Sequence, residues 1–165
     1  MGDTKDLSNA EAIEKIKELA EDIDICMLCT YKGDSLQARP MSTQKVDEEG
    51  NVWFLLDNTS GAHSEVSKDP EVELLYAKGY EKYLVLHGKG ELSDDREKIK
   101  ELWKTHAKVW FTEGVDDPRI SVLKVSFDNG HYWDTKHGRI VSLTKMAASL
   151  LTGKTMDDGI EGDLT

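Results

Sequence analysis

Arg39 and Pro40 stand side by side in ARPMSTQ (residues 38–44), inside a stretch that otherwise alternates like a β-strand. Proline cannot donate to a sheet ladder, so it belongs at an edge or a bulge. A cation and a ladder-breaker within one strand mark a place to look for a ligand. The chain supplies aromatic faces and a further cation to go with them: Trp53 and Phe54 in NVWFLL, Trp110 and Phe111 in KVWFTEG, Tyr132 and Trp133 in HYWDTKHGR, and Arg139 six residues on. Rings stack on a planar ligand and guanidinium pairs bidentately with phosphate, so this set suits something flat and anionic. Each member also has a plain structural use. Trp53 and Phe54 alternate in a strand, so one of them faces the core whatever the function. Trp110 and Phe111 suit internal packing or a subunit contact equally well, and most arginines make ordinary surface ion pairs.

Other chemistry is missing from the sequence. It has no G-x-x-x-x-G-K-[ST] phosphate loop, no GxGxxG opening a helix, no GxSxG elbow and no HExxH. The glycines of HGKGEL lie within a strand pattern and do not cradle a phosphate. No nucleophile or acid–base pair stands out. Cys26 and Cys29, in CMLC, fall in an extended run, where a spacing of three sends side chains to opposite faces. They read as small apolar strand residues rather than a redox or metal pair, and no second Cys/His pair at zinc spacing completes a site. Two reduced thiols fit a cytoplasmic protein.

A chain of 165 residues suggests one domain with a sizeable core. Its net charge of -11 argues against nucleic acid or an anionic membrane as partner. No apolar run approaches the roughly 20 residues of a membrane span. The opening MGDTKDLSNAEAIEK lacks an apolar signal core, and Asp6 stands where myristoylation wants Ser or Thr.

The elements that must position these residues follow from periodicity. Ser8 and Glu11 form a capping box ahead of Ile13, Ile16, Ala20 and Ile23, which predicts an amphipathic helix over 9–21. Turns at Lys32-Gly33-Asp34 and Glu48-Glu49-Gly50 separate three strands of a meander. SGAHSEVSK (60–68) reads as a short helix stopping before Asp69-Pro70. EVELLYA and EKYLVLHGKGELS read as two more strands, with Leu84, Leu86, Gly88, Gly90 and Leu92 on one face. Glycines paired on a face mark a bend or a close approach. DDREKIKELWKTH predicts a helix and KVWFTEGVDDP a loop. RISVLKVSF and HYWDTKHGRIVS read as strands joined by a hairpin at Asp128-Asn129-Gly130. SLTKMAASLLTGK predicts a closing helix, and the acidic, Gly-containing residues 155–165 are expected to be disordered. Together these elements predict an α+β fold around a small antiparallel barrel.

With these pieces in order, the chain resembles the general stress protein branch of the pyridoxamine-phosphate-oxidase-like flavin-binding split barrels. The resemblance rests on ARPMSTQ (38–44), GNVWFL (50–55), the Ser60-headed helix ending in KDPEVELLYA (68–77), ELWKTHAKVWFTEGVDDP (101–118) and HYWDTKHGRIVSLTKMAASLLTGK (131–154). It implies a six-stranded antiparallel split β-barrel with flanking helices, forming a single domain over residues 1–154. It also implies a cytoplasmic homodimer with two equivalent interfacial sites for flavin mononucleotide (FMN). In that family the strand matching ARPMS runs along the flavin. Arg39 would meet the phosphate and ribityl chain, and the backbone of Pro40, Met41 and Ser42 would line the ring. Trp53, Phe54 and Leu55 match the strand beneath the cofactor. Ser60 matches the head of the phosphate-binding helix, Trp133 the tryptophan that reaches the cofactor from the second subunit, and Arg139 a position facing the substrate side.

The departures from the pattern concern the phosphate. Leu56 replaces a threonine, Gly61 and Ala62 replace a basic residue followed by lysine, and His131 stands where glutamate is common. Two functions follow from the resemblance. One is a flavin-binding protein, with or without a weak oxidoreductase activity carried by the flavin itself. The other is a non-enzymatic binding or interaction module on the same barrel, with flavin affinity weakened or lost.

Overall fold

The structure, a computed structural model, describes residues 3–135 and 159–165. A two-residue strand β1 (Asp3–Thr4) leads into helix α1 (Asn9–Ile23), whose Ala12, Ile16, Leu19 and Ala20 are buried. The predicted capping box does not form. Ser8 is the N-cap but its side chain makes no capping bond, and Asn9 instead takes φ +51° and donates its N–H to the Thr165 carbonyl at 2.9 Å.

Strands β2 (Ile25–Lys32) and β3 (Ser35–Ser42) pair across a turn at Gly33, whose φ of +60° only glycine adopts freely. A two-residue β4 (Lys45–Val46) pairs with β5 (Val52–Asp57) around Gly50. Helix α2 (Gly61–Lys68) follows, then β6 (Glu71–Lys78), β7 (Lys82–Ser93), helix α3 (Arg96–Leu102) and β8 (Ile120–Thr135). Between α3 and β8 the aromatic loop winds through two single 3-10 turns, Thr105–Val109 and Gly114–Asp116. It buries Phe111 and leaves Trp110 exposed.

Six strands in the order β3-β2-β6-β7-β8-β5 pair antiparallel throughout. This is the expected six-stranded barrel, and its two end strands, β3 and β5, do not pair with each other among the described residues, which is the split. Counting β1, β4 and a final strand β9 (Gly159–Leu164), the connected sheet has nine strands. The barrel interior and the inner faces of α1 and α2 make one core, including Leu28, Phe54, Leu56, Ala62, Leu74 and Tyr132. A second core, with Leu55, Ile99, Leu102, Phe111 and Val122, lies where α3 and the following turn cover β5 and β8.

Two expectations are corrected. Asp128-Asn129-Gly130 is not a hairpin, because β8 runs unbroken through it. Opposite it in β7 the register shifts between His87 and Gly88. Asn129 faces His87 and Phe127 faces Gly88, so Asp128 is the extra residue of a bulge. Gly130 serves close approach rather than a turn: a Cβ there would stand 2.5 Å from the Val85 carbonyl oxygen. Nor is the whole of the acidic tail disordered. Residues 159–164 form β9, antiparallel to β8 and parallel to β1. Ile160 and Leu164 alternate with outward Glu161 and Asp163, and Leu164 is fully buried. That period-2 pattern outweighs the acidic, Gly-containing composition. The predicted helix SLTKMAASLLTGK, the part of HYWDTKHGRIVS beyond Thr135, Arg139 and residues 155–158 lie outside the described residues.

The paired glycines of β7 do both things expected of them. Gly88 sits at the bulge, and Gly90 admits the Val66 side chain of α2, whose Cγ1 would be 2.9 Å from a Cβ at that position. For the unbroken β8, Gly130→Ala is expected to cost about 1–3 kcal/mol through overpacking against the Val85 carbonyl. Asn129→Ala, at the exposed bulge, should cost under about 0.5 kcal/mol. Urea midpoints of the two variants check this; a hairpin corner would be sensitive at both positions.

Candidate functional site

Among the described residues, strand β3 ends the sheet, with β2 on one side and no strand on the other. Pro40 therefore sits where a missing N–H costs least. Alternation divides the ARPMS segment. Arg39 lies opposite Leu28 and Met41 opposite Cys26, on the barrel-interior side. Pro40 lies opposite Met27 and Ser42 opposite Ile25, on the outer face.

The interior side of β3 meets α2. Ser60 caps that helix, its Oγ accepting the His63 N–H at 3.2 Å. One turn on, Glu65 is buried on the same helix face as Ala62 and Val66. Its Oε2 accepts from Arg39 Nη2 at 2.7 Å and from the Thr30 hydroxyl at 2.5 Å. Its Oε1 turns back toward the head of the helix, 3.4 Å from where a Cβ on Gly61 would be. Burial works against ionisation of Glu65, but the hydrogen bonds from Thr30 and Arg39 and the Arg39 charge outweigh it and hold the carboxyl below its usual range. Arg39 Nη1 is buried and has no hydrogen-bond partner among the described residues. Arg39 is thus tied, through Glu65, to the helix that Ser60 caps.

The β5 candidates present no free side chain there. Phe54 is fully buried in the main core, and Leu55 lies in the second. Trp53 packs against the second core, donates its Nε1–H to Asp47 at 2.8 Å and is covered by Lys98, 4.6 Å from the ring centroid. Trp133 stands on the outer face of β8, edge-on to Tyr83 at 6.5 Å and beside His131 at 4.3 Å. Pairing registers run in a row from Pro40 through Met27, Leu75 and Val85 to His131, so Trp133 and Pro40 share that face. Four strand spacings, on the order of 19 Å, separate β3 from β8 along it.

The phosphate of FMN does not fit this arrangement. Leu56 and Ala62, at the places of a family threonine and lysine, are core residues and offer no donor from their side chains. Arg39, the cation that the resemblance matches to the phosphate, is paired with Glu65 at 2.7 Å. Glu65 and Thr30 escape a motif search, yet both leave a signal. Glu65 is an acid on the apolar stripe Ala62–Val66, and Thr30 is a hydroxyl on the inward face of Cys26 and Leu28; such groups need partners. An open cavity of about 420 Å³ elsewhere, lined by Tyr31, Asp69, Glu71, Glu73, His87 and Asp128 among others, contains none of the expected site residues. Among the described residues no cluster of His, Cys, Asp and Glu is placed to hold a metal. Burial pushes the Cys26 thiol up to about 12. No described helix is long and apolar enough to cross a membrane.

Fold and site together define an antiparallel split barrel with an arginine–carboxylate pair at its split. The family described as pyridoxamine 5'-phosphate oxidase like matches residues 11–157, and the chain belongs to it. A candidate general stress protein 26 from Jannaschia sp. CCS1 is 29% identical, superposing with a TM-score of 0.79 over 95% of this chain and 99% of that one. The general stress FMN/FAD binding protein of Xanthomonas citri is 19% identical with a TM-score of 0.67, over 79% of this chain and 94% of that one, a likeness of fold. The bli-3 protein of Neurospora crassa is 21% identical over 129 residues, 72% of this chain but 62% of that protein's length.

Removing the carboxylate should expose its structural share. Glu65→Ala strands Arg39 and Thr30 and is expected to cost about 1–3 kcal/mol at neutral pH. Because the folded value lies below the ordinary 4.5, Glu65 contributes fully above that pH, and its contribution disappears as pH falls through the lower folded value. Urea midpoints measured across the acid range should fall less steeply in Glu65→Gln than in the wild type.

Proposed function

We propose that the protein is a dimeric flavin-binding protein of the general stress type, in which the isoalloxazine lies along the open edge of β3. The observation that carries this reading is the edge itself: among the described residues, Arg39 has a buried Nη1 without a partner, next to Pro40, on a strand with no neighbour on one side. Backbone groups of residues 40–42 supply polar contacts for a ring edge, and Met41 supplies an apolar one. Any redox chemistry belongs to the flavin; the chain's part is to hold and orient it. The binding named for the Xanthomonas citri neighbour supports the same ligand class. A cytoplasmic setting fits the two free, buried thiols.

The homodimer of the proposal has support in the outer sheet face. Ile25, Met27, Leu75 and Trp133 are all exposed there, at 49%, 38%, 37% and 38%, an apolar surface whose burial suits a second copy. Within one chain Trp133 is some 19 Å from the β3 edge, by strand spacing. A two-fold interface on this face is the way to bring it to that edge. The competing reading, an interaction module without flavin, is favoured by Leu56 and Ala62, whose side chains are committed to the core.

Visible absorbance of the purified protein and fluorescence titration with flavins decide between the two. Saturable quenching is expected, and Arg39→Ala should weaken it by about tenfold, the loss of one charge-assisted contact. In sedimentation, Met27→Glu is expected to shift the protein to a monomer and reduce flavin affinity with it. A flavin-free protein that quenches neither riboflavin nor FMN belongs to the module reading.

A further inference from the structure

We propose that the site selects a flavin whose ribityl chain ends in an uncharged hydroxyl over one that ends in a phosphate, and that Glu65 is the selecting residue. This rests on the flavin reading above and narrows its ligand class. Three observations carry it. The carboxylate of Glu65 already pairs with the Arg39 guanidinium at 2.7 Å, so an incoming phosphate would compete with it for that charge. A second negative group beside that carboxylate meets like-charge repulsion. Positions 56 and 62, which the resemblance matches to a phosphate-binding threonine and lysine, hold buried Leu56 and Ala62, whose side chains offer a phosphate neither a hydroxyl nor a charge. Finally, the buried Nη1 of Arg39 has no hydrogen-bond partner among the described residues. Its charge is balanced by Glu65, so the donor suits a neutral acceptor, which is what a ribityl hydroxyl offers. A phosphate carries nearly two negative charges at neutral pH, in a protein whose net charge is already -11.

The test is a titration of the full chain with riboflavin and with FMN in phosphate-free buffer, read by quenching of flavin fluorescence. Riboflavin is expected to bind at least tenfold more tightly than FMN. In Glu65→Gln, which keeps an oxygen for Thr30 and Arg39 but drops the charge, that ratio is expected to fall at least fivefold. Should the variant not fold, the wild type carries the test at two salt concentrations. Raising potassium chloride from low to high should strengthen FMN binding relative to riboflavin, because it screens repulsion; a cationic phosphate pocket would show the opposite sign. FMN binding as tightly as riboflavin or more tightly, or a ratio unmoved by both Glu65→Gln and salt, overturns the selection while leaving the flavin reading standing. Binding of neither flavin overturns both.

Discussion

The Arg39–Glu65 pair is the contact on which this architecture turns. The barrel is split, so among the described residues β3 has a partner strand, β2, on one side alone. One carboxylate ties its other side to the fold by joining three elements: Glu65 sits on α2 and accepts from Arg39 on β3 and Thr30 on β2. A lone buried charge of either sign would be costly there; the pair, with a hydroxyl as third member, offsets that cost. The buried Nη1 of Arg39, without a partner among the described residues, is where a ligand's polar group would be welcome.

Around that contact the glycines decide what approaches what. Gly90 lets Val66 of α2 rest on β7, which sets the depth of the helix and so the reach of Glu65 to β3. Gly88 and the extra residue Asp128 bend the β7–β8 pair at its middle. The bend gives β8 two different neighbours on its other side, β5 for its first half and β9 for its second. One half thus closes the barrel, while the other carries His131 and Trp133 out onto the apolar face.

Much of this was legible in the sequence because local rules and tertiary packing agree. The hairpin of β2 and β3, the cap at Ser60, the stop before Pro70 and the glycine face of β7 each follow from turn chemistry or period-2 alternation, whereas β5, expected as the third strand of a meander, pairs with β4 and β8 instead of β3. Where sequence reading failed, two local signals competed. Asp128-Asn129-Gly130 has the composition of a hairpin corner, but the pairing of a 16-residue strand with β7 along most of its length outweighs a local turn preference. GIEGDL has the composition of a tail, but its alternation finds a partner in β1 that is some 155 positions away and invisible to any local window. The chemistry of the site was legible in outline only. Arg39 and Ser60 belong to a recognisable pattern, whereas the role of Glu65 depends on which way its side chain turns on α2.

The parallel pairing of β1 with β9 has a consequence in time as well as in space. Lys5 and Leu7 donate to the carbonyls of Glu161 and Asp163, Asn9 donates to Thr165, and the Tyr132 hydroxyl donates to Lys5. Residues 3–9 therefore wait for residues 159–165 before their backbone is satisfied. Loop closure over so long a separation is slow, so α1 and the barrel can assemble first while the clasp between these two segments is the closing step. Until β9 docks, the edge of β8 that it will cover stays open to any passing strand, and chaperone protection of the nascent protein matters most in that interval.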